Sequence, residues 1–398
     1  MLVLKNCRLI PELTEGFDLP RGNVLIDGRL IVDIRPVDFE YNPDYLVIDV
    51  EGKTLLPGLI DLHTHLCCDT FNYDNLIKLP AGAVLFNACA YAKAYVRAGY
   101  TTVRDCGALH NATVYVTEAI KKGIVEGPRL LNCGQILTPT ETGNDTFGCM
   151  YTECDGVEEV KKAARQQLKL GNDFIKYMAT GAFLNEKGDP GQLITTREEL
   201  RAAVEVAALK NTYVAAHCHS DMGIRAAIDA GVRTVEHAAF ITEDTVNLLL
   251  KRKDMFIVPT AAIGMVCLED GNEDVTPDEL EKSVKYEKLE KAALNMCYAA
   301  GLKLGFGSDI DLASFLRVPG YEFIARKEFY SFSDKDILLQ ATKNSAEIAG
   351  IHHMTGTIKA GKAADLIVVD GKPEEDIYVM TKKPVHVFAE GRKINLEN

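Results

Sequence analysis

Short apolar runs rich in β-branched residues recur along this chain, each bounded by glycine, proline, asparagine or aspartate, and amphipathic stretches lie between them. Runs at 55–63, 101–106, 129–133, 174–178, 213–217, 233–237, 255–259 and 302–307 read as eight strands. Two of the intervening stretches have explicit helical signatures. Val157, Val160, Ala164 and Leu168 fall on one face of a helix over 157–170, and Thr196 with Glu199 forms a capping box that opens a helix over 197–210. Regular alternation of strand and helix predicts parallel strands with crossover helices, and eight such units predict an α/β fold of the TIM (β/α)8 barrel type.

The two ends of the chain break this alternation. Residues 24–34 read as strands around a hairpin signal at Asp27-Gly28, and the stretches 364–371 and 385–391 read as strands ended by glycine turns. Neither end is long enough to be stable alone. Residues 1–55 and 356–398 are therefore expected to pair into one small β-sandwich domain built from both chain termini, with the barrel, 56–355, inserted between them. The acidic stretch 267–277 is expected to be a loop after strand seven, on the substrate-facing side.

A length of 398 residues and 47% hydrophobic content allow a full core and exceed the roughly 250 residues of a bare barrel. The net charge of −13 disfavours nucleic acid and anionic membrane surfaces, which an acidic protein repels, so a small-molecule substrate is the expected partner. Met1-Leu2-Val3-Leu4-Lys5 begins directly in a strand-like pattern, and no apolar run approaches the roughly 20 residues of a membrane span. The 11 cysteines are scattered without C-x-x-C spacing, as expected of reduced, buried thiols. A cytoplasmic, soluble protein is expected. It is expected to be a homo-oligomer, since barrels of this kind often associate.

Five of the nine histidines lie in three short motifs, Leu62-His63-Thr64-His65, Ala216-His217-Cys218-His219 and Glu236-His237, and each motif ends a strand candidate. Asp309 follows the eighth strand in the same way. The C-terminal strand ends of a barrel carry its active site, so imidazoles and a carboxylate gathered there suggest a metal site. His63 and His65 are two apart and project from one face of an extended strand, so one metal could take both, with Asp309 completing it; His217 and His237 could hold a second. Two divalent cations about 3.5–4 Å apart need a bridging anion. Lys176, at the end of strand four, supplies one if CO₂ carbamylates its amine; unmodified, it reads as a substrate-binding cation. His110, His352, His353 and His386 read as hydrogen-bonded core residues, and Arg104 with Asp105 as a buried structural charge pair.

Taken in order, these motifs resemble the amidohydrolase superfamily, in the imidazolonepropionase-like branch that includes metal-dependent prolidases and dipeptidases. The resemblance spans nearly the whole chain. It rests on Leu56-Pro57-Gly58-Leu59-Ile60-Asp61-Leu62-His63-Thr64-His65, Gly99-Tyr100-Thr101-Thr102-Val103-Arg104-Asp105, Gly127-Pro128-Arg129-Leu130, Ile175-Lys176-Tyr177-Met178-Ala179-Thr180-Gly181, the two later histidine motifs and Gly307-Ser308-Asp309. The closing stretch Gly356-Thr357-Ile358-Lys359-Ala360-Gly361-Lys362-Ala363-Ala364-Asp365-Leu366 is equally typical. The resemblance implies two divalent metal ions, zinc being the best match to these ligands: one on His63, His65 and Asp309, the other on His217 and His237, with carboxylated Lys176 bridging them.

It further implies that a metal-bridging hydroxide attacks the carbonyl while Asp309 takes its proton and passes it to the leaving nitrogen. In relatives the position of His219 contacts substrate, which makes His219 a hydrogen-bond donor here; a third metal ligand or a supporting role is the alternative. The implied activity is cleavage of an amide bond in a dipeptide, an Xaa-Pro substrate or an N-acyl amino acid. Imidazolonepropionase-like cyclic-amide hydrolysis and heterocycle deamination are alternatives, as are lactonase and phosphotriesterase chemistry. A non-catalytic binding module is disfavoured because no ligand position is lost. One departure is visible: relatives carry Gly-Gly-His-Gly-Asp after strand three, whereas this chain has Pro139-Thr140-Glu141-Thr142-Gly143-Asn144-Asp145. Glu141 and Asn144 there either favour a basic or polar substrate group or belong to a solvated loop.

Overall fold

A computed structural model describes every residue except 186, 187, 270, 271, 273 and 398. The chain is mixed α/β, with parallel strands in two central sheets. One contains Leu59–Thr64, Tyr100–Asp105 and Arg129–Asn132 in that order; the other runs Tyr151–Glu153, Ile136–Thr138, Ile175–Met178, Val214–Ser220, Thr234–Phe240 and Phe256–Val258. Strand three thus continues past its expected end into 136–138, and the short Tyr151–Glu153 strand was not legible in the sequence.

Segment 302–307 forms no regular ladder. It makes a single parallel bridge, Leu304 to Ile257, yet it spans the gap between the sheets, because Gly305 N donates to Ile257 O at 2.9 Å and Leu62 N donates to Phe306 O at 2.7 Å. Across the other gap, Asp173 N donates to Asn132 O at 2.8 Å. Parallel pairing brings the C-terminal ends of these strands, and every histidine motif with them, to the same side. The helices between strands pack their apolar faces inward. The Arg197–Ala208 helix has the capping box that its sequence signals, with Glu199 N donating to Thr196 Oγ1 at 3.2 Å and Thr196 N to Glu199 Oε2 at 2.8 Å.

Strands from both ends of the chain share one eight-stranded sheet, in which Thr54–Pro57 lies between Leu2–Arg8 and Leu366–Val369. Its buried side includes Leu4, Val24, Leu55, Leu366 and Phe388. The run 55–63 is therefore two strands, and Gly58 marks the break. A side chain at Gly58 would meet the Thr101 hydroxyl at 2.1 Å, so only glycine lets the chain pass from one sheet to the other so close to its neighbour. The hairpin after Asp27 turns through Gly28 and Arg29. Residues 267–277 connect the Ala261–Cys267 and Pro277–Ala299 helices; 270, 271 and 273 of that stretch lie outside the described residues. All 11 cysteines are free thiols, and only Cys89 and Cys149 are not buried. Among the described residues no helix is long and apolar enough to cross a membrane.

The two termini are also stitched by charge. Ile358 N donates to Leu13 O at 2.8 Å and Glu15 N to Ile358 O at 2.9 Å, which sets the Glu15 carboxylate against Lys359 at 2.7 Å, Thr357 at 2.5 Å and Lys362 at 3.3 Å. Bonds from Lys359 first and Thr357 second hold its carboxyl down at about 2, from an ordinary 4.5. A lowered carboxyl contributes stability that is complete above its unfolded value and is lost as pH falls from about 4.5 through about 2. Glu15→Gln is therefore expected to lower stability at pH 7 and to make no difference near pH 2. Solvent screening of this partly exposed group limits the effect to about 1 kcal/mol or less. Denaturant melts of both proteins across that pH range test it; equal stabilities at pH 7 would contradict it.

Candidate metal centre

Asp61, His63 and His65 have the same parity on one extended segment, and Asp61 ties that segment to the one bearing Asp309. Its Oδ1 accepts from His63 N at 3.0 Å and Ser308 N at 3.1 Å, and its Oδ2 from the Ser308 hydroxyl at 2.6 Å and Tyr95 at 3.1 Å. The Ser308 and Asp309 amides both reach His63 O, at 3.2 and 2.8 Å. This approach requires Gly307, where a Cβ would lie 2.8 Å from both His63 Cβ and Val258 Cγ1. His237, Ala238 and Asp309 adopt left-handed backbone, with φ of 73°, 61° and 55°. Non-glycine residues rarely do so, and such conformations concentrate at functional positions. The register of Val214–Ser220 against Thr234–Phe240 slips just after His237, so an irregularity in the ladder aims this side chain.

The structure brings all six expected ligands and His219 to one cavity, together with Tyr73, Phe147 and Tyr151. Asp309 sits among the imidazoles: Oδ1 is 3.5 Å from His65 Nε2 and 3.8 Å from His63 Nε2, and Oδ2 is 4.0 Å from His237 Nδ1. Lys176 Nζ lies 3.3 Å from His63 Nε2. Donor atoms of His63, His65 and Asp309 lie within 4.8 Å of one another, as do those of His217, His219 and His237. The second group admits His219 beside the two histidines expected to hold that metal.

Four of these rings, all but His219, are held through one nitrogen. His63 Nδ1 donates to Glu236 Oε2 at 2.8 Å, His65 Nδ1 to Gly107 O at 2.9 Å, and His217 Nε2 to Gly181 O at 3.0 Å; His237 Nδ1 is 2.7 Å from the Thr260 hydroxyl. Carbonyl and carboxylate oxygens only accept, so these contacts fix the tautomers of His63, His65 and His217 and leave Nε2, Nε2 and Nδ1 with free lone pairs. Burial first, and then mainly positive neighbours, push every ring below the ordinary imidazole range, His65 to about 4 and His219 to about 3. Neutral rings with one anchored nitrogen are what a divalent cation requires. The buried Nδ1 of His219 has no partner among the described residues, an orphan that a bound group would satisfy.

Arg104 is not paired with Asp105. Its guanidinium binds Glu236 at 2.8 Å to both oxygens and the Thr234 hydroxyl at 3.1 Å, while Asp105 accepts from Leu66 N at 2.8 Å and Thr113 at 3.2 Å. Arg104 therefore acts on the site through Glu236, which positions His63. His110, His352 and His353 are exposed and His386 half-buried, because they lie on surface turns and a peripheral strand; none is a core residue. Asn144 is buried and holds its own turn, donating to Pro139 O at 3.0 Å and Glu153 at 2.7 Å, while Glu141 accepts from Thr142 N at 2.8 Å. The cavity wall next to them is made of Phe147, Met150 and Tyr151.

The amidohydrolase family model matches residues 54–394, a span that contains all of these side chains. The chain belongs to the amidohydrolase family. Ochratoxinase of Aspergillus niger is 29% identical over 373 residues, covering 85% of this chain and 75% of that protein. A prolidase crystallised with N-methylphosphonate-L-proline superposes with a TM-score of 0.90 at 29% identity, over 99% of each chain. A Xaa-Pro dipeptidase with methionine in its active site gives 0.87 at 27%, again over 99% of each.

Proposed function

We propose that this amidohydrolase family member is a binuclear metal-dependent hydrolase that cleaves the amide bond of a small substrate: a dipeptide, an Xaa-Pro substrate or an N-acyl amino acid. The observation that carries the proposal is the convergence of five histidines on one cavity, in which His63 and His65 are anchored through Nδ1 and turn Nε2 toward Asp309 and Lys176. On this reading His63, His65 and Asp309 hold one ion, His217 and His237 the other, and carboxylated Lys176 lies between them; imidazole and carboxylate donors suit zinc. We further propose that 56–355 is a closed (β/α)8 barrel and that 1–55 with 356–398 form the β-sandwich. The unpaired thiols support a reducing, cytoplasmic setting, and we retain a homo-oligomer as part of the proposal.

Bound divalent ions would polarise the amide carbonyl and make water acidic enough to ionise near neutrality. The chain's own groups do the rest. Burial above all raises the Asp309 carboxyl, opposed by Lys176, and its place among the imidazoles suits it to accept a proton and release it to a leaving nitrogen. His219, with its unpartnered Nδ1, is placed to hydrogen-bond a substrate carbonyl or carboxylate. Phe147, Tyr151 and Phe183 wall the cavity. The activities of the prolidase, the dipeptidase and ochratoxinase support an amide-cleaving role for this site.

The test is elemental analysis of purified protein followed by a screen of dipeptides and N-acyl amino acids. Between one and two transition metals per chain, hydrolysis abolished by chelation and activity restored by added zinc, manganese or cobalt are expected. Failure of metal-replete protein to hydrolyse any of these amides would overturn the proposal.

A further inference from the structure

A second cavity opens beside the metal centre, and His219, His237, Phe183, Leu184 and Ile263 line both. It lies between the Ala261–Cys267 helix and the long Pro277–Ala299 helix and is mostly apolar, yet Glu290 faces it. Helical spacing puts Tyr286 and Glu290, four residues apart, on one face of the long helix, and Tyr286 packs at a tilt against Phe240, ring centroids 4.8 Å apart, near His219. Glu290 approaches the position that a Gly264 side chain would occupy, its Oε2 lying 3.8 Å away.

The neighbouring cation does not neutralise it. Lys291 turns to Glu287 Oε1 at 2.5 Å and over the Phe329 ring at 3.8 Å; Glu290 has the Tyr330 hydroxyl as a hydrogen-bond partner, but among the described residues no ion pair reaches it. The cavity thus holds two carboxylates and one ammonium already committed to Glu287, which leaves Glu290 with a hydroxyl and no cation. Withdrawal from water is the main reason this carboxyl is raised to about 7, against the pull of Lys291. His219, only 5% exposed and with an unpartnered ring nitrogen, lines both cavities, so a substrate held at the metal centre extends directly into this one.

We infer that this cavity is a specificity pocket for a substrate side chain that is aliphatic along its length and ends in an ammonium or guanidinium, which Glu290 receives. The inference rests on the amide-hydrolase reading and specifies its substrate class. A methylene stem matches the apolar wall, and a terminal cation supplies the ion pair that the chain itself withholds from Glu290. Apolar packing alone discriminates weakly between side chains of similar shape, whereas a carboxylate in an apolar cavity that lacks a cationic partner discriminates more strongly.

The experiment compares kcat/KM for matched dipeptides bearing lysine or norleucine, and arginine or citrulline, on either side of the scissile amide. Wild-type enzyme is expected to prefer the cationic member by about 10- to 100-fold at one of the two positions, chiefly through KM. Glu290→Gln should bring that ratio to within about threefold, and Glu290→Asp, which keeps the charge, should retain most of it. Equal rates on lysine and norleucine substrates by wild-type enzyme, or a ratio that survives Glu290→Gln, would overturn the inference and leave the hydrolase reading standing. Failure of metal-replete wild-type enzyme on every amide would remove the hydrolase reading, and the pocket's assignment with it.

Discussion

Asp309→Asn is expected to lower kcat for amide hydrolysis by at least about three orders of magnitude while leaving the fold intact. The substitution keeps the size and shape of the side chain, and the backbone bonds that place residue 309, from its own amide and that of Ser308 to His63 O, are untouched. The Asp309 carboxylate approaches its imidazole neighbours only to 3.5–4.0 Å, so the metal-free fold does not depend on it. An amide oxygen cannot take up a proton near neutrality, and a neutral ligand also weakens one metal position. Steady-state kinetics paired with a thermal melt separate the two effects: a large loss of rate with little change in melting temperature is the expected pattern. Activity within tenfold of wild type would mean that Asp309 is not the proton carrier. A melting temperature that collapses would mean that it is a structural group.

Much of this site was legible in the sequence because strand geometry makes it so. Alternation along an extended chain puts His63 with His65, and His217 with His219, on one face, and parallel strands deliver their last residues to the same side. What the sequence hid depends on partners far apart along the chain. Glu236 orients His63 across 173 positions, and Arg104 binds Glu236 across 132; adjacency suggested instead a pair between Arg104 and Asp105. A Glu-His dipeptide at a strand end now reads as a candidate ligand together with the anchor of another candidate. The backbone irregularities at His237 and Asp309 were equally invisible, because neither residue type announces a left-handed conformation as glycine does. The eighth strand expected at 302–307 forms no regular strand; a single bridge at Leu304 and two backbone hydrogen bonds are what it makes. The surface histidines were misassigned because composition cannot distinguish a buried turn from an exposed one.

Lys176→Ala is expected to abolish most activity, by about two to four orders of magnitude, and short carboxylic acids such as formate, acetate or propionate should restore part of it. The reason lies in the surroundings of the side chain. Lys176 is only 2% exposed, its Nζ is 3.3 Å from His63 Nε2, and no carboxylate lies within 4.0 Å of it among the described residues. An ammonium in that setting lacks the partner that buried charges require, and it would repel cations held by the surrounding imidazoles. Carbamylation removes both difficulties. The lone pair of the free amine bonds to the carbon of CO₂, a proton leaves, and the product is an anion with two oxygens in the same place. A free carboxylic acid diffusing into the space vacated in the alanine variant reproduces that anion without the covalent stem. Rescue should therefore saturate with acid concentration, follow acid size, and be accompanied by recovered metal content; an ammonium compound such as methylamine should not substitute. If carboxylic acids fail and methylamine succeeds, Lys176 acts as a plain cation toward substrate, and the bridging role falls to another group.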